Sequence, residues 1–303
     1  MSFPHPVTRA PDSGFDGLPG FGFAPHFVDD LPGFKGLRIH YLDEGPAAAP
    51  RTFLCLHGNP SWSYLWRKMI PVFTASGARV VAPDLPGFGR SDQPLDDDAH
   101  SFHFHRDVLL TLIRQLDLQN ITLVCQDWGG ILGLTLPHQE PSRFARLLVM
   151  NTALATGDAP LPQGFQDWRT WSNAQDDMDV PRLFRRMAPM ATPAELAAYG
   201  APFPDRSHKA ALRRFLNMVP DSLDAEGAAV SREAREFWLN EWTGQTFMAI
   251  GMQDPVLGPA TMPKLAQIIR RCPPPLEVPQ GGHMLPEWGE EIARAALQAF
   301  GDV

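Results

Sequence analysis

Strand-length apolar runs that alternate with helical patterns limit, more than any other feature of this sequence, the folds open to the chain. The alternation begins with a strand run at 52–56, a helix at 63–73 and a strand at 79–82, and continues into an amphipathic helix at 104–118. Parallel neighbouring strands need long crossover connections, which are usually helices. We therefore expect an α/β fold with a mostly parallel central sheet covered by helices on both faces.

The alternation stops once, between about Thr156 and Ala229, where helical stretches lie among Pro, Trp, Asp, Arg and Ala. We interpret this interruption as a helical cap at 156–229 inserted between two parts of one core, 1–155 and 230–303. The remaining predicted elements are strands at 121–125, 146–150, 246–251 and 276–278, and helices at 131–136, 180–187, 194–199, 263–270 and 287–300.

Charge and cysteine content limit the partners and the cellular compartment that we expect. Acidic residues outnumber basic ones by 34 to 26, which gives a net charge of −8 and disfavours binding to nucleic acid. The sequence has neither a basic leader with an apolar run nor about 18 consecutive apolar residues, so we expect a soluble protein that does not bind membranes. Cys55, Cys125 and Cys272 are widely spaced, which favours reduced thiols in a cytoplasm over a disulfide or zinc site.

The strongest local motif is ITLVCQDWGG, residues 121–130, in which a β-branched run leads into a tight turn and a helix. A nucleophile elbow has this geometry, and it needs small residues two positions on either side of the nucleophile. Cys125 and Gly129 meet that requirement around Asp127. The alternative interpretation is that Asp127 only caps the following helix.

Three further pieces occur after strands in the order expected for such an elbow. The sequence LHGNP, residues 56–60, follows the first buried strand, where backbone N–H groups can complete an oxyanion hole. Asp254 follows the strand at 246–251, and His283 lies in a Gly-flanked loop before the last helix. The chain order of nucleophile, acid and histidine matches that of the α/β-hydrolase fold.

With these pieces in place, the sequence resembles the haloalkane dehalogenases, and within them the subfamily that acts on short chlorinated and brominated alkanes. The resemblance extends from about Gly33 to the last helix and is carried by five strings: HGNPSWSYLWRKM, APDLPGFGRSD, CQDWGGILGLTLP, AAYGAPFPD and GQTFMAIGM. It implies an α/β-hydrolase core, a helical cap, no cofactor and no metal. The chain departs from the nearest subfamily pattern at Asn59, where that pattern has glutamate, and in a shorter stretch at 156–164.

The resemblance also implies roles for individual residues. Asp127 would be the nucleophile, His283 the base and Asp254 its partner. Trp128 and the cap residue Trp168 would hold the leaving halide, because an indole N–H donates without a competing acceptor. Trp171 lies one helical turn from Trp168 and is the alternative donor. The main-chain N–H groups of Asn59 and Trp128 would form the oxyanion hole.

The expected reaction is hydrolysis of a small haloalkane to an alcohol and halide through an alkyl-aspartate, and we expect a monomer. An epoxide hydrolase shares the fold and nucleophile but uses cap tyrosines, and the predicted cap contains only Tyr199. A catalytically silent binding module of the same fold would lack a triad member. His103 and His105 have metal-like spacing but no third ligand nearby, and we expect them on a solvated helix face.

Overall fold

The computed structural model describes residues 3–302. Ten strands and ten α-helices alternate along these residues. The strands are β1 (Val7–Thr8), β2 (His26–Val28), β3 (Ile39–Glu44), β4 (Thr52–Leu56), β5 (Arg79–Pro83), β6 (Gln93–Pro94), β7 (Ile121–Gln126), β8 (Phe144–Met150), β9 (Gln245–Gly251) and β10 (Leu276–Val278). The helices are α1 (Ile70–Ala75), α2 (Phe102–Gln115), α3 (Trp128–Gly133), α4 (Gln163–Asn173), α5 (Val180–Met187), α6 (Pro193–Gly200), α7 (Ala210–Phe215), α8 (Ala228–Asn240), α9 (Met262–Ile268) and α10 (Gly289–Phe300).

Eight of the strands form one sheet in the order β10-β9-β8-β7-β4-β5-β3-β2. The five pairings from β10 to β5 are parallel, whereas β3 and β2 are added antiparallel at one edge. The predicted mostly parallel sheet is therefore confirmed. The antiparallel edge was not predicted, because β2 is three residues long and lies in a Pro/Gly-rich segment.

Most predicted elements are found, and the differences have local causes. The helix expected at 63–73 is instead a 3-10 turn, Ser63–Trp66, followed by α1. The helix expected at 131–136 begins three residues earlier, at Trp128, because it starts directly from the tight turn after β7. None of the helices within residues 3–302 has the length and apolar character that crossing a membrane would require.

The two central strands, β4 and β7, determine where the candidate site lies. Every residue of β4 and β7 is buried, as expected for parallel strands covered on both faces. Cys55 and Cys125 are part of this core as free thiols, and burial raises the pKa of both. The carboxyl ends of β4 and β7 lie side by side, since Leu56 pairs with Cys125, so the loops that follow the two strands meet.

Helices α4 to α7 lie between β8 and α8 in the chain, and a buried ionic cluster connects them to the core. Arg67 donates to both carboxylate oxygens of Glu287, at 2.7 and 2.8 Å, and to Glu195 of α6 at 2.7 Å. The hydroxyl of Tyr199, also on α6, donates to Glu287. The guanidinium of Arg67 is nearly fully buried, as is the carboxylate of Glu287, so the cluster joins the His283 loop, the core and α6. We name it the Arg67 cluster.

Candidate active site

The turn between β7 and α3 holds Asp127 in a conformation that is uncommon for a residue with a side chain. Its φ of 53° and ψ of −128° lie outside the helical and strand regions. A Cβ on Gly129 would come within 1.8 Å of the Leu56 carbonyl oxygen, so only glycine fits there. Asp127 lies at the N-cap position of α3, but its side chain makes no capping hydrogen bond there, so capping does not explain an aspartate at this turn.

The Asp127 carboxylate points toward the loop after β4. Its Oδ1 accepts the main-chain N–H of Asn59 at 2.8 Å. The N–H of Trp128 lies close enough to the carboxyl to lower its pKa. A Cβ on Gly58 would lie 2.1 Å from Oδ1, which explains the glycine there. Burial raises the pKa of Asp127, while the charge of His283 and the two N–H donors partly oppose that rise. The two N–H groups expected to form an oxyanion hole thus lie at one carboxylate.

The structure brings His283 and Asp254 to the other side of this carboxylate. His283 Nδ1 is 2.8 Å from Asp254 Oδ2, and His283 Nε2 is 3.6 Å from Asp127 Oδ2. Burial by itself lowers the pKa of His283, but the charges of Asp254 and Asp127 outweigh it and raise the pKa to about 9. Burial opposes ionisation of Asp254, yet the His283 charge and the N–H groups of Val256 and Leu257 lower its pKa to about 2. The two neighbouring carboxylates therefore favour the protonated form of the His283 ring.

Two residues that sequence analysis missed complete the surroundings of this triad. Asn151, directly after β8, donates through Nδ2 to Asp254 Oδ2 at 2.9 Å, and its carbonyl accepts the Asp127 N–H at 3.0 Å. Gln126, the last residue of β7, donates to the carbonyl of His283 at 2.9 Å. Both are polar residues at the carboxyl end of a buried strand, and this position could have identified them from the sequence.

A cavity of about 980 Å³ opens beside Asp127 and is lined mostly by apolar side chains. Trp128 lies at its base, 2% exposed, and packs edge-on against Phe215 of α7. Trp168 and Trp171 also line the cavity, and their rings stack with centroids 5.1 Å apart. Within the described part of the chain, none of the three indole nitrogens donates a hydrogen bond to protein. The geometry does not show which of Trp168 and Trp171 would donate to a halide.

The structure also tests the predictions made for His103, His105 and Tyr199. His103 is exposed, but His105 is fully buried and lies 3.1 Å from His100, so the solvated face predicted for the pair is wrong for His105. The side chain faces inward because it packs on Phe215. Across residues 3–302, no three His, Cys, Asp or Glu side chains are grouped closely enough to hold a metal ion. Tyr199 does not line the cavity.

Comparison with known proteins agrees with this geometry. A family model described as the alpha/beta hydrolase fold matches residues 51–290. A haloalkane dehalogenase of Psychrobacter cryohalolentis is 41% identical over 306 residues, covering 98% of each chain. Haloalkane dehalogenase 1 of Mycobacterium bovis is 40% identical, covering 96% of this chain and 97% of its own. Among solved structures, the tetrameric haloalkane dehalogenase DpaA from Paraglaciecola agarilytica NO2 aligns with a TM-score of 0.96 at 46% identity, covering 98% of this chain and 100% of DpaA.

Proposed function

Because the chain belongs to the haloalkane dehalogenase family and is a hydrolase acting on carbon–halide bonds, we propose that Asp127, His283 and Asp254 carry out its reaction in two steps. The observation that carries this proposal is the elbow carboxylate held between the Asn59 N–H on one oxygen and the His283 ring on the other. Substrates are a haloalkane and water, and halide is a product. The core segments 1–155 and 230–303 would supply the triad, and the cap at 156–229 would supply about half of the cavity-lining residues.

In the first step Asp127 attacks the carbon that bears the halogen. Its Oδ2 is the attacking oxygen, because Oδ1 is engaged by Asn59. The new C–O bond forms as the carbon–halogen bond breaks, and the halide leaves with the electron pair, giving an alkyl ester on Asp127. Indole N–H groups of Trp128 and Trp168 would receive the halide in a cavity where little water competes.

In the second step water attacks the carboxyl carbon of the ester and His283 Nε2 takes its proton. The oxyanion forms at the N–H groups of Asn59 and Trp128. Its collapse breaks the bond between the carboxyl carbon and the ester oxygen, so the alcohol leaves with the proton from His283 and the Asp127 carboxylate is restored. Esterification removes the negative charge of Asp127, which is one of the two charges that raise the pKa of His283. The pKa of His283 therefore falls once the ester has formed, and the ring becomes a base when a base is needed. Asp254 holds the Nδ1 proton and stabilises the imidazolium that results.

The alternative chemistries have less support. An epoxide hydrolase of this fold would need a tyrosine hydroxyl in the cavity, whereas the hydroxyl of Tyr199 donates to the buried Glu287. A silent binding module would lack a triad member, and all three candidate residues lie in contact.

The first test measures halide release by the purified chain. We expect halide and alcohol from 1,2-dibromoethane and 1-bromobutane without added metal or nucleotide, and no diol from styrene oxide. Opening of the epoxide without halide release from either bromoalkane would overturn the assignment.

The second test separates the two steps. His283→Ala keeps the nucleophile and removes the base, so we expect an alkyl-enzyme to accumulate and appear as added mass in intact-protein mass spectrometry. Asp127→Ala should show no added mass. A folded His283→Ala protein that stays unmodified would contradict the two-step scheme.

We further propose that the chain acts as a cytoplasmic monomer. All proposed site residues come from one chain, and the three cysteines are free thiols. DpaA forms a tetramer, so sizing in solution at several protein concentrations is the direct check.

A further inference from the structure

Gln126 is a polar side chain in β7, whose other residues serve apolar packing or sheet pairing. It is fully buried at the end of β7, next to Asp127. Burying an amide is unfavourable unless its hydrogen bonds are met, so the contacts of its NH₂ group need to account for its presence there.

The donor side of Gln126 faces the proposed base at two places. Its Nε2 donates to the main-chain carbonyl of His283 at 2.9 Å and lies 3.5 Å from ring Nε2 of the same residue. That carbonyl also accepts the N–H of Leu285 at 2.9 Å. The loop that carries His283 is therefore held both by its own turn and by a side chain from the strand that carries the nucleophile.

The second contact, between Gln126 Nε2 and ring Nε2, has opposite effects on the neutral and protonated forms of the His283 ring. Nδ1 keeps its proton in both forms because it donates to Asp254, so Nε2 is the nitrogen that gains and loses the catalytic proton. An amide NH₂ has donors and no acceptor. It attracts the lone pair of Nε2 in neutral imidazole and opposes the N–H of imidazolium.

We infer that Gln126 is a positioning residue for His283: it ties the His283 loop to the nucleophile strand and favours the ring form that accepts a proton from water. This inference rests on the proposed two-step function. The ionisable groups whose charge reaches the ring are Asp127 and Asp254, and both favour imidazolium. After esterification Asp254 alone opposes Gln126, so the amide acts most effectively in the hydrolytic step.

The test compares Gln126→Met and Gln126→Glu with the parent enzyme, using a bromoalkane under rapid mixing. Met keeps the length and removes the donor, and Glu replaces it with an acceptor and a negative charge. We expect the first-turnover burst of halide to be unchanged within about twofold, whereas turnover falls about tenfold or more, since a general base contributes roughly a hundredfold to ten-thousandfold. Alkyl-enzyme should accumulate, and the pH midpoint of the hydrolytic step should rise from Gln to Met to Glu.

Thr122→Val is the matched control, because Thr122 is buried on the same face of β7 and away from the site. It should leave burst, turnover and pH midpoint unchanged. A merely structural role for Gln126 predicts that burst and turnover fall together with an unmoved pH midpoint, and that result in either Gln126 variant would overturn the inference. If His283→Ala itself fails to accumulate alkyl-enzyme, the proposed function fails first. If His283→Ala accumulates it and neither Gln126 variant does, only the inference fails.

Discussion

Trp168 and Trp171 lie one turn apart on α4 and line the same cavity, so a single substitution at each tests which of them is the proposed halide donor. Trp168→Phe keeps most of the packing volume and removes the N–H. Loss of one such donor costs about 2–4 kcal/mol of transition-state stabilisation, so we expect the rate of halide release to fall about thirtyfold to a thousandfold.

Trp242→Phe provides the control, because its indole N–H is bonded to Thr246 away from the cavity. Full activity of Trp168→Phe together with a loss in Trp171→Phe would move the donor by one helical turn. Full activity of both would mean that the second donor lies elsewhere.

Candidate site residues could be predicted from the sequence where their place in the fold follows from the order of the strands along the chain. Asp127, Asp254 and His283 each follow a strand or enter a Gly-flanked loop, and the parallel sheet brings these positions together. Gln126 and Asn151 were missed because their partners are a carbonyl group and a carboxylate more than a hundred residues away in the chain. His105 was misjudged because the spacing of two histidines does not reveal that Phe215 packs over one of them.

At the scale of elements, the Arg67 cluster connects the loop that carries His283 to α6. Glu287→Gln leaves the buried Arg67 opposite a neutral amide, and breaking a buried pair in this way costs about 3–5 kcal/mol. We expect the free energy of unfolding, measured by urea denaturation, to fall by about 3 kcal/mol, the lower end of that range, because Glu195 still contacts Arg67.

The matched comparison is Glu290→Gln, which removes the exposed pair with Arg294. Exposed pairs contribute about 0–1 kcal/mol, so that variant should differ little from the parent. Equal effects of the two substitutions would show that the Arg67 cluster does not hold α6 to the core.

Elements were predictable in proportion to their apolar content. Strand β4 and helix α5 have the predicted bounds, because a buried apolar run marks the first and an amphipathic repeat the second. Strand β10 also has its predicted bounds, although its middle residue is exposed. Strands β2 and β3 were missed because each contains polar as well as apolar residues, so neither forms a continuous apolar run.

At the scale of the whole molecule, the cavity is the feature that sequence could not give. Its wall combines the loop at 153–162, helix α4, the end of α5, helix α9 and the loop before His283. A volume of about 980 Å³ depends on how these segments pack, and no local pattern encodes it. The resemblance gave the chemistry at its base, while the space above the nucleophile comes only from the fold.

The two borders of the sheet are formed by three-residue strands, β2 and β10. Pro275 and Pro279 bracket β10, and Pro25 and Asp29 bracket β2. Proline offers no N–H, and short, charged or proline-flanked margins discourage another molecule from continuing the ladder. These two edges therefore disfavour association of copies of this chain by continuation of the eight-stranded sheet.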